Sequence, residues 1–238
     1  MPELKYKRLL VKLSGEALMG QYDFGIDPRM IANLAGELQA LLQAGVEVGV
    51  VVGGGNIFRG AGLAEAGLDR VAGDHMGMLA TVMNAIALRD GLQKKGLECV
   101  VMSGLMMPQV CENYTQRHAR ERIGRGEIVI FAAGTGNPYF TTDTGASLRA
   151  VEIQADLLIK ATNVDGIYDS DPRSNPDARK YDTLHYDEAI DRRLAVMDIT
   201  AMVLCQENDL DLAVCNINHP DALLALARGE RLGTLVTR

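Results

Sequence analysis

The feature that most constrains the fold of this chain is a series of continuous apolar runs, each about as long as a β-strand. They span residues 8–13, 46–52, 99–102, 127–132, 156–161 and 211–215, mostly with helical segments between them. Because these runs do not alternate with polar residues, both faces of the strands should be covered. The sequence therefore predicts an α/β fold, a three-layer α/β/α sandwich with a mainly parallel central sheet.

Two helices are predicted between the first runs. Asp27 suits the N-cap and Pro28 the first position of one helix, which should end before Gly45. Its predicted apolar face consists of Ile31, Leu34, Leu38, Leu41 and Leu42. A second helix should follow Asp74. Its predicted inward face consists of Leu79, Val82, Met83 and Ile86.

Composition and charge argue against several classes of protein. The 238 residues show no internal repeat or linker, so we expect residues 1–238 to form a single domain. With 31 Asp and Glu against 24 Lys and Arg, the formal charge is -7, so we expect no nucleic-acid partner. No stretch approaches the ~20 apolar residues that span a bilayer and no leader pattern is visible, so we expect a cytoplasmic protein without membrane contact. The cysteines and histidines lack the spacing of zinc ligands or of a disulfide framework.

Polar, glycine-rich loops follow three of the predicted strands, at residues 12–15, 53–56 and 134–138. Ligands of open α/β sheets bind at the carboxyl ends of the strands, so these loops should meet at one edge. The triple-glycine turn has no Cβ atoms, and its backbone N–H groups can approach phosphate oxygens closely. A tight turn that binds nothing is the alternative, but the nearby Arg59 supplies a cation suited to phosphate.

Two lysines interrupt apolar strands, Lys12 in the first run and Lys160 in the fifth. An unpaired ammonium group at such a position carries a desolvation cost, so each lysine needs an anion. Each could instead be a strand-end lysine that reaches solvent. Two such lysines on separate strands make this alternative less attractive.

The segment 135–143 combines hydroxyl groups, an amide, two aromatic rings and the carboxylate of Asp143. This combination suits a polar aromatic ligand such as a nucleotide. Thr141, Thr142 and Asp143 could also cap the following helix, and the two roles are compatible. The irregular stretch 163–181 follows another strand and is predicted to be a long functional or mobile loop.

Motifs of several other nucleotide enzymes are absent, namely the P-loop, a complete dinucleotide fingerprint and the protein-kinase motifs. No histidine occupies an obvious base position either. A hydroxyl acceptor generally benefits from a base, whereas a phosphate or carboxylate acceptor is already ionised. The sequence therefore favours an anionic acceptor.

Five segments, in chain order, resemble signatures of the amino acid kinase superfamily and, within it, of the bacterial UMP kinase branch. They lie at residues 12–16, 53–56 with 59–60, 73–78, 135–143, and 164–168 with 171–172. One such motif would be a weak indication, whereas five in order over essentially the whole chain are specific. The resemblance implies transfer of the γ-phosphoryl group of ATP to UMP, giving UDP and ADP in pyrimidine nucleotide biosynthesis. The transfer would be in line and without a covalent intermediate.

The resemblance also implies roles for individual residues. The catalytic residues would be Lys12, Lys160 and Asp143. ATP would contact Lys12, Ser14, Gly15, Gly55, Arg59, Thr162, Asn163, Tyr168 and Asp171. UMP would contact Gly54, Asp74, Thr135, Gly136, Asn137, Pro138, Tyr139, Phe140, Thr141 and Thr142. The N-terminal part would mainly hold the monophosphate and the C-terminal part ATP, with Mg²⁺ carried by the nucleotide phosphates rather than by a protein metal site.

Members of this branch are typically homohexamers that GTP activates and UTP inhibits, and the resemblance implies the same here. The chain retains Arg89, which matches an arginine of the GTP site in some relatives. It departs from them at Gln93, Val100, Gln116 and Glu127, where those relatives carry His, Arg, Trp and Arg. These departures leave GTP activation open.

Three other functions remain as alternatives. A kinase of the same superfamily with a carboxylate or carbamate acceptor, such as acetylglutamate, would share the ATP half and differ around residues 135–142. A regulatory subunit would bind nucleotide without catalysis. A dinucleotide-dependent oxidoreductase is disfavoured by the incomplete glycine fingerprint.

Overall fold

The computed structural model describes residues 3–58, 67–172 and 174–238. Within them, the strands are β1 (Arg8–Leu13), β2 (Glu47–Val52), β3 (Cys99–Ser103), β4 (Glu112–Asn113), β5 (Ile128–Ala132), β6 (Leu157–Thr162), β7 (Ile167–Tyr168), β8 (Lys180–Tyr181), β9 (Thr183–His185), β10 (Asp211–Asn216) and β11 (Thr234–Thr237). Nine of these strands form one sheet with the order β4-β3-β5-β2-β1-β6-β10-β11-β9. Neighbours in it are parallel except β10 and β11. All the predicted apolar runs lie in this sheet.

Helices cover both faces of the sheet. They are α1 (Pro28–Gln43), α2 (Arg70–Lys94), α3 (Gln116–Gly124), α4 (Thr142–Glu152), α5 (Tyr186–Asp191), α6 (Ile199–Glu207) and α7 (Ala222–Ala227), and a short 3-10 helix spans Gly15–Leu18. One core lies under α1, α2 and α7, and the other under α3 to α6. In β1, Leu9 and Val11 face the first core and Leu10 the second. The predicted three-layer α/β/α fold is confirmed.

Helix α1 follows the sequence prediction closely. The side chain of Asp27 caps it by accepting a hydrogen bond of 2.9 Å from the backbone N–H of Arg29, and Pro28 is its first residue. The chain turns away at Gly45, whose φ of 87° suits glycine. Four of the predicted apolar residues are buried, namely Ile31, Leu34, Leu38 and Leu41. Each contributes about 1.5–3 kcal/mol of hydrophobic stabilisation.

Helix α2 departs from the prediction in two respects. It begins at Arg70, more than one turn earlier than expected, because Asp69 is the N-cap and accepts a hydrogen bond from the N–H of Ala72. Asp74 therefore lies within the helix and does not cap it. The predicted inward face was wrong at Leu79 and Met83, which are 47% and 52% exposed.

The composition of α2 also contradicts the expectation that no segment approaches membrane-spanning character. Within the described residues, α2 is the one helix long and apolar enough to cross a membrane by length and composition. Its packing explains this composition, because Ala85, Leu88 and Leu92 are buried in the core beneath α1 and α2. Core helices of this kind meet the same criterion.

The stretch 163–181 is not wholly irregular. It contains β7 and β8, which pair antiparallel in a separate two-stranded sheet. The N–H of Ile167 donates a hydrogen bond of 2.8 Å to the hydroxyl of Thr234, which attaches this segment to β11. The prediction of one long loop missed these strands because two residues are too few to show a hydrophobic period.

Candidate active site

Lys12 and Lys160 are neighbours in the sheet. They are Cα partners in the parallel register of β1 and β6, so their side chains leave the sheet on the same face. Helix α4 covers that face and brings Asp143, in its first turn, to both lysines. The Nζ atoms of Lys12 and Lys160 lie 2.7 and 2.9 Å from the two carboxylate oxygens of Asp143. We call these three residues the ion-paired centre.

Electrostatics keep the ion-paired centre charged. Burial raises the pKa of the Asp143 carboxyl, but the two neighbouring ammonium groups outweigh burial and hold this pKa below its usual value. One carboxylate against two ammonium groups leaves a net positive charge. Lys12 is only 8% exposed, so this charge lies in a partly desolvated position where it can attract a phosphate strongly.

The segment before α6 forms hydrogen bonds to the ion-paired centre and to the start of α4. Lys160 donates a second hydrogen bond to the backbone carbonyl of Val196. Asp198, the N-cap of α6, accepts hydrogen bonds from the hydroxyls of Thr141 and Thr144 at the start of α4. These contacts fix the first turn of α4, and with it Asp143. No sequence pattern indicates Val196, because a backbone carbonyl carries no side-chain signature.

The loops after β1 and β2 lie against each other at the carboxyl edge, as predicted. A Cβ atom on Gly15 would lie 2.8 Å from the backbone nitrogen of Gly55 and 2.4 Å from the side-chain oxygen of Asn56. Only glycine fits this approach. The N–H of Gly53 donates a hydrogen bond of 2.9 Å to the carbonyl of Leu13. Residues 53–56, which we call the glycine loop, therefore lie beside the strand that carries Lys12.

The loop after β5, residues 133–141, has an unusual backbone. The φ angle is positive at Ala133, Gly134, Gly136 and Tyr139. Non-glycine residues rarely adopt this conformation, so the loop needs support from its neighbours. The buried guanidinium of Arg149 in α4 provides one support, because it donates a hydrogen bond of 3.1 Å to the carbonyl of Gly134. We call residues 133–141 the acceptor loop, after the role that the resemblance implies for residues 135–142.

A cavity of about 430 Å³ separates the acceptor loop from the N-terminal half of α2. Of the residues predicted to bind UMP, it is lined by Gly54, Asp74, Thr135, Asn137, Phe140, Thr141 and Thr142. Gly55, predicted on the ATP side, also lines it. The structure thus brings the glycine loop, the acceptor loop and Asp74 together around one space large enough for a small ligand.

Asp74 lies at the wall of this cavity and is held by two partners. It accepts a hydrogen bond of 2.7 Å from the backbone N–H of Tyr139 and forms an ion pair of 2.8 Å with Arg70. Burial raises the pKa of the Asp74 carboxyl, but the hydrogen bonds from Tyr139 and Arg70 hold this pKa below its usual value. Asp74 is therefore an anion that can only accept hydrogen bonds from a ligand.

Other predicted residues lie outside the cavity lining. Gly136, Pro138 and Tyr139 belong to the acceptor loop, but the Tyr139 side chain is 67% exposed. Thr162 ends β6 and Asn163 follows it at the carboxyl edge. The remaining ATP-side residues lie in three places: Ser14 beside the glycine loop, Tyr168 in β7 and Asp171 in the loop after β7. Arg59 lies outside the described residues.

The sequence interpretation missed two kinds of site residue. Arg70 lines the cavity and its guanidinium lies 5.6 Å from the ring of Tyr139. Thr81 and Asn84 are buried polar residues of α2. Thr81 contacts the acceptor loop and Asn84 contacts the glycine loop. A signal for the latter pair was available, because Thr81 and Asn84 interrupt an apolar stretch with the spacing of one helix face.

Comparison with known proteins gives consistent results. The sequence profile described as the amino acid kinase family matches residues 7–216. The uridylate kinase of Xanthomonas oryzae pv. oryzae is 56% identical over 236 residues, which is 99% of this chain and 98% of that protein. The crystal structure of UMP kinase from Bacillus anthracis has a TM-score of 0.95 at 37% identity, covering 98% of this chain and 96% of that one. UMP kinase from Ureaplasma parvum has a TM-score of 0.92 at 35% identity, covering 99% and 100%. The chain therefore belongs to the amino acid kinase family, within its uridylate kinase branch.

Proposed function

We propose that this protein transfers the γ-phosphoryl group of ATP to UMP, giving UDP and ADP, as a step of pyrimidine nucleotide biosynthesis. The observation that carries the proposal is the position of one ligand-sized cavity between the glycine loop and the acceptor loop. The glycine loop also lies directly against the loop that follows Lys12. The relatives described above, which are named uridylate or UMP kinases, support the choice of acceptor.

On this proposal, UMP occupies the cavity and ATP lies on the other side of the glycine loop. Gly54, Asp74 and residues 135–142 would contact UMP. Because Asp74 is an anion, it would repel the UMP phosphate and accept hydrogen bonds from the uracil N–H or the ribose hydroxyls. The ATP contacts would be made by Lys12, Ser14, Gly15, Gly55, Arg59, Thr162, Asn163, Tyr168 and Asp171.

The ion-paired centre would provide the catalysis. An oxygen of the UMP phosphate attacks the γ-phosphorus of ATP in line, and no covalent intermediate is needed. Lys12 would neutralise charge that develops on the transferred group, and Lys160 charge on the leaving β-phosphate side. Asp143 would hold both ammonium groups in place. A general base is unnecessary because the attacking phosphate oxygen is already ionised.

Magnesium is the cofactor expected for such a transfer, since it neutralises and orients the phosphates of ATP. The donors that this chain offers fit a metal held mainly by phosphates and water. Each Asp143 oxygen already contacts an ammonium group, and the described residues contain no cluster of three His, Cys, Asp or Glu side chains. Asp143 would therefore contribute at most to the outer shell of the ion.

We also propose a homohexamer in the cytoplasm, as the resemblance implies. Met76, Leu79 and Met83 are exposed on α2 and form an apolar strip suited to contact with a second copy. Light scattering should give a hexameric mass.

UTP inhibition follows from the same resemblance. GTP activation is a separate question, because the groove that contains Arg89, Gln93 and Val100 also contains the carboxylate of Glu112. This carboxylate is ion-paired with Arg122 and would lie close to the phosphates of an anionic effector. Turnover measured with and without GTP answers this question.

A coupled assay of ADP release tests the proposed reaction. UMP, CMP and acetylglutamate are supplied separately with ATP and Mg²⁺, and each turnover is measured over a range of acceptor concentrations. We expect kcat/KM for UMP to exceed the others by at least ~10²-fold, because a pocket that hydrogen-bonds its substrate rejects analogues lacking those groups. Preference for acetylglutamate would instead identify a kinase with a carboxylate acceptor. Nucleotide binding without any turnover would indicate a regulatory subunit.

A further inference from the structure

One face of α2 contacts both loops that border the cavity. Asp74, Gly77, Thr81 and Asn84 follow one another at intervals of three or four residues, which places them on one side of the helix. Asp74 and Thr81 reach the acceptor loop through the backbone N–H groups of Tyr139 and Ala133. Gly77 and Asn84 reach the glycine loop. A single rigid helix therefore touches the two loops on either side of the proposed acceptor.

Asn84 fixes the glycine loop from inside the protein. It is fully buried, and its amide nitrogen donates hydrogen bonds of 2.7 Å to the carbonyl of Gly53 and 2.6 Å to the side-chain oxygen of Asn56. The Asn56 amide donates back to Asn84 at 3.0 Å and also to the carbonyl of Gly25 at 2.9 Å. Both amide donors of each asparagine are thus satisfied away from water, where an unsatisfied group would be costly.

Thr81 fixes the start of the acceptor loop in the same way. Its buried hydroxyl accepts a hydrogen bond of 2.8 Å from the N–H of Ala133 and donates one of 2.7 Å to the carbonyl of Met78. Ala133 has a φ of 61°, a conformation that a residue with a Cβ atom adopts only with support. The hydroxyl of Thr81 therefore holds the first residue of the acceptor loop in its strained conformation.

Close packing leaves little freedom between these contacts. A Cβ atom on Gly54 would lie 2.8 Å from the carbonyl oxygen of Gly77 and 2.8 Å from the Cβ atom of Ala80. The glycine loop therefore packs against α2 with no room for a side chain at Gly54. Its hydrogen bonds to Asn84 also keep it from moving away.

We propose that Asn84 and Thr81 are positioning residues that set the spacing between the glycine loop and the acceptor loop, and so align donor and acceptor phosphates. Among the described residues, Asn84 is absent from the cavity lining and bonds the glycine loop. Thr81 lies in the lining, but its hydroxyl is bonded to Ala133 and Met78. The inference rests on the proposed phosphoryl transfer across these loops. A displacement of about 1 Å in the reacting groups can reduce the rate about 10²-fold, so positioning should appear in kcat more than in binding.

The test compares Asn84→Asp with wild type, using the acceptor that gives the highest kcat/KM with the wild-type protein. The aspartate keeps the shape of the Asn84 side chain but replaces its NH₂ donor by a carboxylate oxygen. This oxygen would face the carbonyl oxygen of Gly53 and the side-chain oxygen of Asn56. We expect kcat to fall about 10-fold to 10²-fold, with KM for ATP and acceptor changed less than about threefold. As a matched control, Asn208→Asp changes an exposed asparagine at the end of α6 and should leave kcat unchanged.

A second pair of variants covers the case in which Asn84→Asp does not fold. Thr81→Val removes the hydroxyl at nearly constant volume and should lower kcat about 10-fold, whereas Thr81→Ser keeps the hydroxyl and should recover most of it. Thermal unfolding of each variant shows whether the measured molecules are folded. Unchanged kcat in Asn84→Asp, or equal kcat in the two Thr81 variants, would overturn the inference. A wild-type protein that does not phosphorylate UMP would refute the proposed function instead.

Discussion

The ion-paired centre and the wall of the cavity between α2 and the acceptor loop are built in opposite ways. The centre consists of side chains from β1, β6 and α4, and its one carboxylate pairs with two ammonium groups at distances of 2.7 and 2.9 Å. The wall combines one face of α2 with the acceptor loop, whose backbone has positive φ at Ala133 and Gly134, and its aromatic residue Phe140 is 49% exposed. Strands and a helix thus hold a compact group of charged side chains, while loops held by α2 shape the neighbouring cavity.

The largest effect should come from Asp143→Asn, which breaks the centre and leaves two ammonium groups facing each other. We expect the free energy of unfolding to fall by about 3 kcal/mol or more at pH 7, because removing one partner of a buried ion pair leaves unpaired charge. Chemical denaturation measures this change. As a control, Asp90→Asn removes an exposed ion pair with Lys94 and should change stability by less than about 1 kcal/mol.

The pH dependence of the same variant gives an independent check. The folded-state pKa of Asp143 lies below its usual value, so its stabilisation is complete above the unfolded value of 3.8 and is lost as the pH falls through the folded value. The difference between wild type and Asp143→Asn should therefore stay constant from pH 7 to about 5 and shrink below about 4. A difference that already shrinks near pH 6 would contradict the lowered pKa.

Lys12→Ala should have the next largest effect, and on turnover rather than on the fold. We expect turnover to fall at least ~10²-fold, equivalent to about 2.7 kcal/mol, as when a partner of transition-state charge is removed. The fold should persist because Asp143 keeps Lys160 as a partner. Steady-state kinetics and thermal unfolding separate the two effects, with exposed Lys94→Ala as the control. Turnover within threefold of wild type would remove Lys12 from the mechanism.

Gly54→Ala should have the smallest effect of the three substitutions, and it changes the wall of the cavity. The added Cβ atom would meet Gly77 and Ala80 of α2 at 2.8 Å, so the glycine loop must shift. Because Gly54, unlike Asn84, lines the cavity directly, we expect KM for the acceptor to rise about 10-fold, or about 1.4 kcal/mol, with less change in KM for ATP. Gly124→Ala is the control, because its Cβ would meet no atom within 4 Å. A change confined to KM for ATP would mean that Gly54 serves the donor side.

The contrast between α1 and α2 shows where sequence interpretation succeeds. In α1, the predicted N-cap at Asp27 and the predicted apolar spacing are confirmed, because one face of this helix meets the core and the other is polar. In α2, the buried face carries Thr81 and Asn84, while Leu79 and Met83 are exposed. On α2, the side that faces the core carries polar groups bonded to loops, and the exposed side carries apolar residues. Hydrophobic periodicity therefore cannot identify the inner face of this helix.

The sequence by itself determined the central strands, the capped helix α1 and the loops at their carboxyl ends, because apolar runs, N-cap residues and glycines act locally. Only the tertiary structure decided that Asp143 lies between Lys12 and Lys160, and that Thr81 and Asn84 support the loops beside the cavity. These contacts join residues far apart in the chain. They depend on the register of β1 with β6 and on the packing of α2 and α4, which no local pattern encodes.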